Sequence, residues 1–223
     1  MEGAWVALAL TLKVAGWATA LNLVFGVAVG CAMARWRFPG REFLDASFTL
    51  PMVMPPTVLG YYLLVLIGSQ SAFGGWLLET FGFRLIFTWQ AAVIAATVMS
   101  FPLVYKAARA AFESVDPQLE HAARSLGIGE LGVLMRVSLP LAWRGILSGL
   151  LLAFARALGE FGATLMVAGS IPGKTQTLSI AAYEAVQAGQ DDVANFLVAL
   201  TSLTCLAVLL AAGRLIPGPP ARH

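Results

Sequence analysis

Arg156 and Glu160 stand four residues apart inside an apolar run, LLAFARALGEFGATLMVAG. On a helix that spacing puts both side chains on one face. Isolated in hydrocarbon, each costs roughly 2.5–3.5 kcal/mol on insertion scales. The pair returns only about 0.2–0.5 kcal/mol, and Arg before Glu is the weaker order. Local pairing therefore does not hold them there, and they are expected to face a bundle interior or water and find further partners. Two roles fit. The guanidinium attracts an oxyanion, which suits anion passage or gating, although the carboxylate cancels much of that attraction. The pair also suits a structural ion network at a bundle or dimer interface.

The remaining candidates for chemistry are few. The histidines are His121 and His223, both outside the apolar runs, so no nucleophile–base set is available for an intramembrane enzyme. Cys31 and Cys205 lie within apolar runs and imply neither a disulfide nor a metal site. Gly127-Ile-Gly129-Glu-Leu-Gly132 fits GxGxxG but follows a helical pattern rather than a buried strand, which removes its dinucleotide reading. Gly169-Ser-Ile-Pro-Gly173-Lys174-Thr175 has three residues between its glycines where a phosphate loop needs four. No nucleotide site, cofactor or metal is expected in this chain.

The elements that must position the charged pair are membrane spans. Of 223 residues, 59% are hydrophobic and 12% charged, with a mean hydropathy of +0.80. Charge-free stretches of 21 residues separate Lys13 from Arg35, Arg84 from Lys106, and Asp192 from Arg214. About 20 helical residues cross a ~30 Å hydrocarbon core. Residues 45–79 hold a further span and residues 143–169 another, the latter carrying Arg156 and Glu160. The expected fold is all-α and polytopic, with about five transmembrane helices. Ten of the 14 Lys and Arg fall on one side of such a layout, against Arg84 and Lys174 on the other. The basic side is expected to be cytoplasmic, with the N-terminus outside and the C-terminus inside. The N-terminus lacks a basic region ahead of its apolar run, so a retained span is expected there. The net charge of +2 is accounted for by the inside loops and implies no nucleic acid.

Two segments stand out against this apolar background. Pro51, Pro55 and Pro56 in SFTLPMVMPPTVLGYYLLVLIG predict a kinked or locally unwound span, which either lines a pathway or packs as a buried kink. Residues 116–140, DPQLEHAARSLGIGELGVLMRVSLP, are polar and helix-patterned. Asp116 and Pro117 form an N-cap and first-turn proline, with Leu119, Ala122, Ala123 and Leu126 at one-face spacing. Gly127 and Gly129 end that helix, and a second amphipathic piece runs to Val137 before Leu139-Pro140 opens the next apolar run. Gly26-xxx-Gly30 and Gly145-xxx-Gly149 allow close helix contact, favoured here as packing within the chain.

The 116–140 segment resembles the EAA loop of ABC-importer permeases: Glu-Ala-Ala, three residues, Gly, nine residues, Ile-x-Leu-Pro. Here the pattern reads His121-Ala122-Ala123, Gly127, then Val137-Ser138-Leu139-Pro140, with Glu120 one residue early. ARALGEFGAT (155–164), LPMVMPPTVLGYYLLV (50–65) and IPGKTQTLSIAAYEAVQAG (171–189) resemble the molybdate, tungstate and sulfate permeases of that group, and lean to the molybdate branch. The likeness runs from about Trp5 to Gly213.

The resemblance implies that 1–223 is a single ABC-importer transmembrane domain of a bacterial or archaeal cytoplasmic membrane. It would carry molybdate, and tungstate with it, with a sulfate or thiosulfate permease as the alternative and a stand-alone secondary transporter a more distant one. It further implies a homodimer with the pathway between copies, cytoplasmic ABC ATPase subunits, and a periplasmic or extracellular oxyanion-binding protein. On this reading the coupling loop contains Glu120, His121, Ala122, Ala123, Gly127, Leu139 and Pro140. The binding protein is expected at the external loops 68–88 and 170–192.

Overall fold

Each charge-free stretch lies largely within a long helix of the computed structural model, which describes residues 2–215; that after Arg84 enters its helix only at Trp89. His223, read above as outside the apolar runs, lies outside the described residues. The first helix, α1 (Glu2–Arg35), has 34 residues and therefore runs ~51 Å, well beyond a hydrocarbon core. The helix that holds the span expected after Lys13 thus begins twelve residues before Val14. Lys13 does not interrupt it because its Nζ lies 3.6 Å from the centroid of the Trp89 ring, a cation–π contact.

The second span is not one helix. A short α2 (Arg41–Thr49) passes through a 3₁₀ turn (Leu50–Met52), and α3 (Pro56–Ile67) leaves at 110° to it. The kink expected from three prolines is a full break, and its cause is local. Pro55 precedes Pro56 and is held extended, at φ −57° and ψ 134°, where a residue before proline is pushed. With 12 residues, α3 covers only ~18 Å. The short α4 (Ala72–Phe81) caps that end of the molecule, started by Ser71 accepting the Gly74 N–H at 2.8 Å.

The centre of the bundle is α5 (Trp89–Glu113), whose Ala91, Ala92, Ala95, Ala96, Ala108 and Ala111 are buried. Small residues bring its neighbours close. A Cβ on Gly26 of α1 would meet Val104 Cγ1 at 2.9 Å, and one on Gly30 would meet Ala108 Cβ at 2.8 Å. A Cβ on Gly145 or Gly149 would meet Ala111 Cβ at 2.7 Å or Ala107 Cβ at 2.4 Å. Both small-residue pairs therefore pack within the chain. Buried Asn22 adds a polar tie, donating to Thr97 O at 3.1 Å and Ser100 Oγ at 2.9 Å.

After α6 (Pro117–Ser125), the chain runs through α7 (Glu130–Val133), a π turn (Leu134–Ser138) and α8 (Leu139–Leu158). These three form one continuous helix, Glu130–Leu158, of 29 residues. The second amphipathic piece therefore does not stop at Val137. Pro140 lies within the first turn of α8, where its missing N–H follows directly on the widened π turn. The span expected over 143–169 is likewise corrected, because the helix stops at Leu158 and resumes as α9 (Gly162–Ala168). α10 (Leu178–Gln187) and α11 (Asp191–Leu215) complete the chain. The start of α1 packs with these two through Ala7, Leu178, Ala185, Ala194 and Leu197.

Among the described residues, four helices are long and apolar enough to cross a membrane, and up to five spans are present if the bent pair is one crossing. The described residues contain no strand.

Candidate functional site

Two places gather the singled-out residues, and the helix Glu130–Leu158 has one at each end. At its start lies the polar loop. Asp116 Oδ1 accepts the Gln118 N–H at 2.9 Å, which caps α6 ahead of Pro117. At the other end of α6, Gly127 (φ +80°) donates to Arg124 O at 2.9 Å, and Ile128 N–H reaches Ala123 O at 3.2 Å. That pair of bonds is a Schellman ending, and the left-handed residue it needs is the glycine. Gly127 and Gly129 therefore shape a helix end, and the GxGxxG match has no strand before it.

The exposed face of the loop is apolar at its tip. Leu126 is 81% exposed and Leu131 74%, with Leu119, His121 and Ala122 also exposed. Ala123 departs from the one-face expectation, because it is buried under the turn. Leu139 is half-buried and Pro140 exposed, both in the first turn of α8.

Glu120 points the opposite way from His121. Its Oε1 accepts from Arg35 Nη2 at 2.8 Å and from the Ser138 hydroxyl, and its Oε2 faces Arg124 Nη2 at 3.3 Å. Arg124 also reaches Glu130 at 2.6 Å. Burial pushes the Glu120 carboxyl up, but Ser138, Arg35 and Arg124 together outweigh it and hold it below the usual carboxylate range. One residue thus ties α6 to the end of α1 and to the π turn. Glu120 in sequence offered only an i, i+4 partner, Arg124; Arg35 and Ser138 come from distant segments and carried no local signal. A second network escaped the sequence in the same way. Asp45 of α2 accepts from the Tyr105 hydroxyl, Lys106 Nζ at 3.0 Å and Arg109 Nη1 at 2.8 Å, binding α2 to the end of α5.

At the far end, the two helix breaks meet. A Cβ on Gly162 would lie 3.0 Å from Pro56 Cβ, and one on Gly60 would lie 2.9 Å from Ala163 Cα. α3 and α9 are therefore in near backbone contact, and the prolines of the second span are brought beside Arg156 and Glu160. The two charges do not share a continuous helix. Arg156 is in the last turn of α8, whereas Glu160 sits in the break and accepts the Ala163 N–H at 2.9 Å, which starts α9. Arg156 Nη1 lies 2.9 Å from Glu160 Oε2, yet that oxygen has no donor in hydrogen-bonding alignment, so the contact is an ion pair with poor angular geometry. The Glu160 side chain is 2% exposed and that of Arg156 36%. Arg156 lines a cavity of about 180 Å³ with Pro51, Met52, Met54, Pro56 and Met99. The methionines were not singled out in sequence.

The phosphate-loop look-alike closes on itself. Lys174, Thr175 and Gln176 all donate their N–H to Ile171 O, and the Ile171 N–H goes to Thr175 Oγ1 at 3.0 Å. No cradle of outward amides remains in that turn.

Residues 24–217 match the family described as the binding-protein-dependent transport system inner membrane component. The chain is 43% identical over 209 residues to the molybdenum transport system permease protein ModB of Escherichia coli K12, covering 93% of this chain and 91% of that one. It is 35% identical over 178 residues to the sulfate transport system permease protein CysT of Salmonella typhimurium, covering 80% and 64%. Among solved structures, an inward-facing MetNI methionine ABC transporter chain superposes with a TM-score of 0.73 at 19% identity, covering 96% of this chain and 93% of that one. At that identity the likeness speaks for the fold.

Proposed function

The chain belongs to the family of binding-protein-dependent transport system inner membrane components, and from that premise we propose that it is the permease subunit of an ATP-driven importer of molybdate, with tungstate as a second substrate. The observation that carries the substrate is the 43% identity to ModB along 93% of the chain, against 35% along 80% to the sulfate permease. The chain is a multi-pass membrane protein. Its basic end is cytoplasmic, which puts the N-terminus outside and the C-terminus inside. In support, Arg35, Arg41, Lys106, Arg109 and Arg124 all meet their carboxylate partners at one end of the bundle.

ATP is hydrolysed by separate subunits docked on the 116–140 loop. An apolar tip of Leu119, Ala122, Leu126 and Leu131 on a helix this polar is what a protein groove would cover. Glu120 is committed inside the chain, so His121 rather than a carboxylate meets the partner. The pathway lies between two copies of the chain, and a loaded oxyanion-binding protein docks on the opposite end, at 68–88 and 170–192.

The test is uptake of labelled molybdate in cells with and without the chain, supplied with the matching ATPase and binding protein. Uptake that needs the chain and ATP, and that tungstate blocks while sulfate does not, is the expected result. Equal competition by sulfate would move the substrate to sulfate, and uptake surviving ATP depletion would exclude the importer class.

A further inference from the structure

We propose that Arg156 and Glu160 form a charge-compensated contact for the travelling oxyanion, in which Glu160 sets how readily the anion leaves. The inference rests on the reading of the chain as an oxyanion permease.

The two partners are held very differently. Glu160 is buried and fixed from behind, since its Oε1 takes the Ala163 N–H at 2.9 Å. Arg156 is fixed only at its stem. Its guanidinium approaches Glu160 Oε2 at 2.9 Å without hydrogen-bond alignment, and Arg156 lines the cavity at the two helix breaks. A guanidinium carries five N–H donors in a planar fork suited to oxyanions. A purely structural tie would be expected to bury both partners and align the donor with the carboxylate; here one partner is over a third exposed and Oε2 has no aligned donor.

The chemistry of passage explains why a carboxylate belongs there. An unpaired arginine in a low-dielectric site would hold a dianion strongly and release it slowly. Passage needs attraction sufficient for entry and weak enough for exit. Glu160 behind Arg156 leaves the pair neutral overall while the exposed N–H groups remain able to donate. Lys13, within α1, is occupied over the Trp89 ring. Among the residues that line the cavity at the junction, Arg156 is the cation.

The discriminating variant is Glu160→Gln, because the amide oxygen can still accept the Ala163 N–H while the charge is gone. The permease–ATPase complex is prepared with the wild-type chain, with E160Q, with R156Q, and with both changes. Labelled molybdate bound to the complex without binding protein is measured by equilibrium dialysis. Uptake and ATP hydrolysis are measured in proteoliposomes with binding protein.

E160Q is expected to raise molybdate occupancy at least roughly tenfold and to slow uptake by a similar factor while ATP hydrolysis continues. R156Q is expected to lose both occupancy and uptake. The double variant buries no unpaired charge and so assembles even if a single variant does not, and it too should lose at least roughly nine-tenths of uptake. Unchanged or lower occupancy in assembled E160Q, or wild-type uptake in the double variant, would overturn the proposal and leave the pair a structural tie. A different failure, wild-type complex without chain-dependent molybdate uptake, would bring down the permease reading itself.

Discussion

Replacing Glu120 by Gln keeps the shape of the side chain and removes the charge on which three segments converge. The carboxylate receives two bonds at Oε1, from Arg35 and Ser138, and a longer contact from Arg124 at Oε2. Bonds to a charged group contribute about 1.5–3 kcal/mol and neutral ones about half that. With Glu120 only 20% exposed, solvent screening is limited, and the loss comes to about 1.5 kcal/mol for the two close bonds. That energy is about a tenfold change in an equilibrium constant. The quantity it alters is the local opening of α6, because Glu120 joins α6 to the end of α1 and to the π turn. Hydrogen exchange reads such openings directly. Amides of α6 in E120Q should exchange about tenfold faster than in the wild-type chain, while those of the buried centre of α5 remain unchanged. R35Q should give a similar acceleration, and the double variant should be little worse than either single change, since both remove the same contact. If α6 protection moved less than about threefold, or if the two effects added in full, Glu120 would not be the tie between these elements.

The pH dependence of the same contact has a defined sign. The folded Glu120 carboxyl titrates below its ordinary value of 4.5, so its contribution is present above that value and lost as pH falls through the folded one. Protection of α6, corrected for intrinsic exchange, should be flat from neutral pH to about 5 and decline below 4.5 in the wild-type chain but not in E120Q. Gly127→Val should disturb the loop without any clash, since nothing lies within 4 Å of its Cβ position; the penalty comes from φ +80°. Roughly 1–2 kcal/mol is expected for a side chain in that conformation, measured as weaker co-purification of the ATPase with normal yield of the permease. Gly149→Val is the opposite case, because a Cβ there would meet Ala107 Cβ at 2.4 Å and Leu103 O at 3.2 Å. Overpacking of a helix–helix contact this close should cost about 1–3 kcal/mol or more, seen as lost folded permease on size-exclusion chromatography, whereas Gly213→Ala, with open space around it, should behave as wild type.

The sequence was informative wherever the deciding physics was local. The N-cap at Asp116, the left-handed Gly127 and the break at Pro55-Pro56 each follow from one or two residues and their backbone preferences. It misled where a local sign was overridden by packing. Lys13 looks like the edge of a span, but the Trp89 ring shelters its charge and α1 continues. The stretch around Gly159 looks like an uninterrupted helix, since one glycine costs only about 1 kcal/mol there. What tips the balance is Glu160 taking the Ala163 N–H and α3 pressing on α9, neither visible in a linear pattern. Orientation within the loop was illegible for the same reason. Glu120 and His121 are adjacent, about 100° apart on a helix, and only the arrival of Arg35 and Ser138 decides which one turns inward.

The placement of the two sites on one helix bears on how they could act together. Glu130–Leu158 starts beside the 116–140 loop and carries Arg156 in its last turn; its 29 residues make about 43 Å of continuous helix. It is seated on α5 through Gly145 and Gly149, where backbones approach closely, with Ile146 and Leu150 packed in one cluster with Val104 and Phe112. A helix so mounted has two natural places to bend, the π turn at Leu134–Ser138 and the break after Leu158. The first is gripped by Glu120 through Ser138, and the second carries the ion pair. Any displacement of the loop that reached the junction of α3, α8 and α9 along this helix would have to cross the π turn, which Glu120 braces through Ser138.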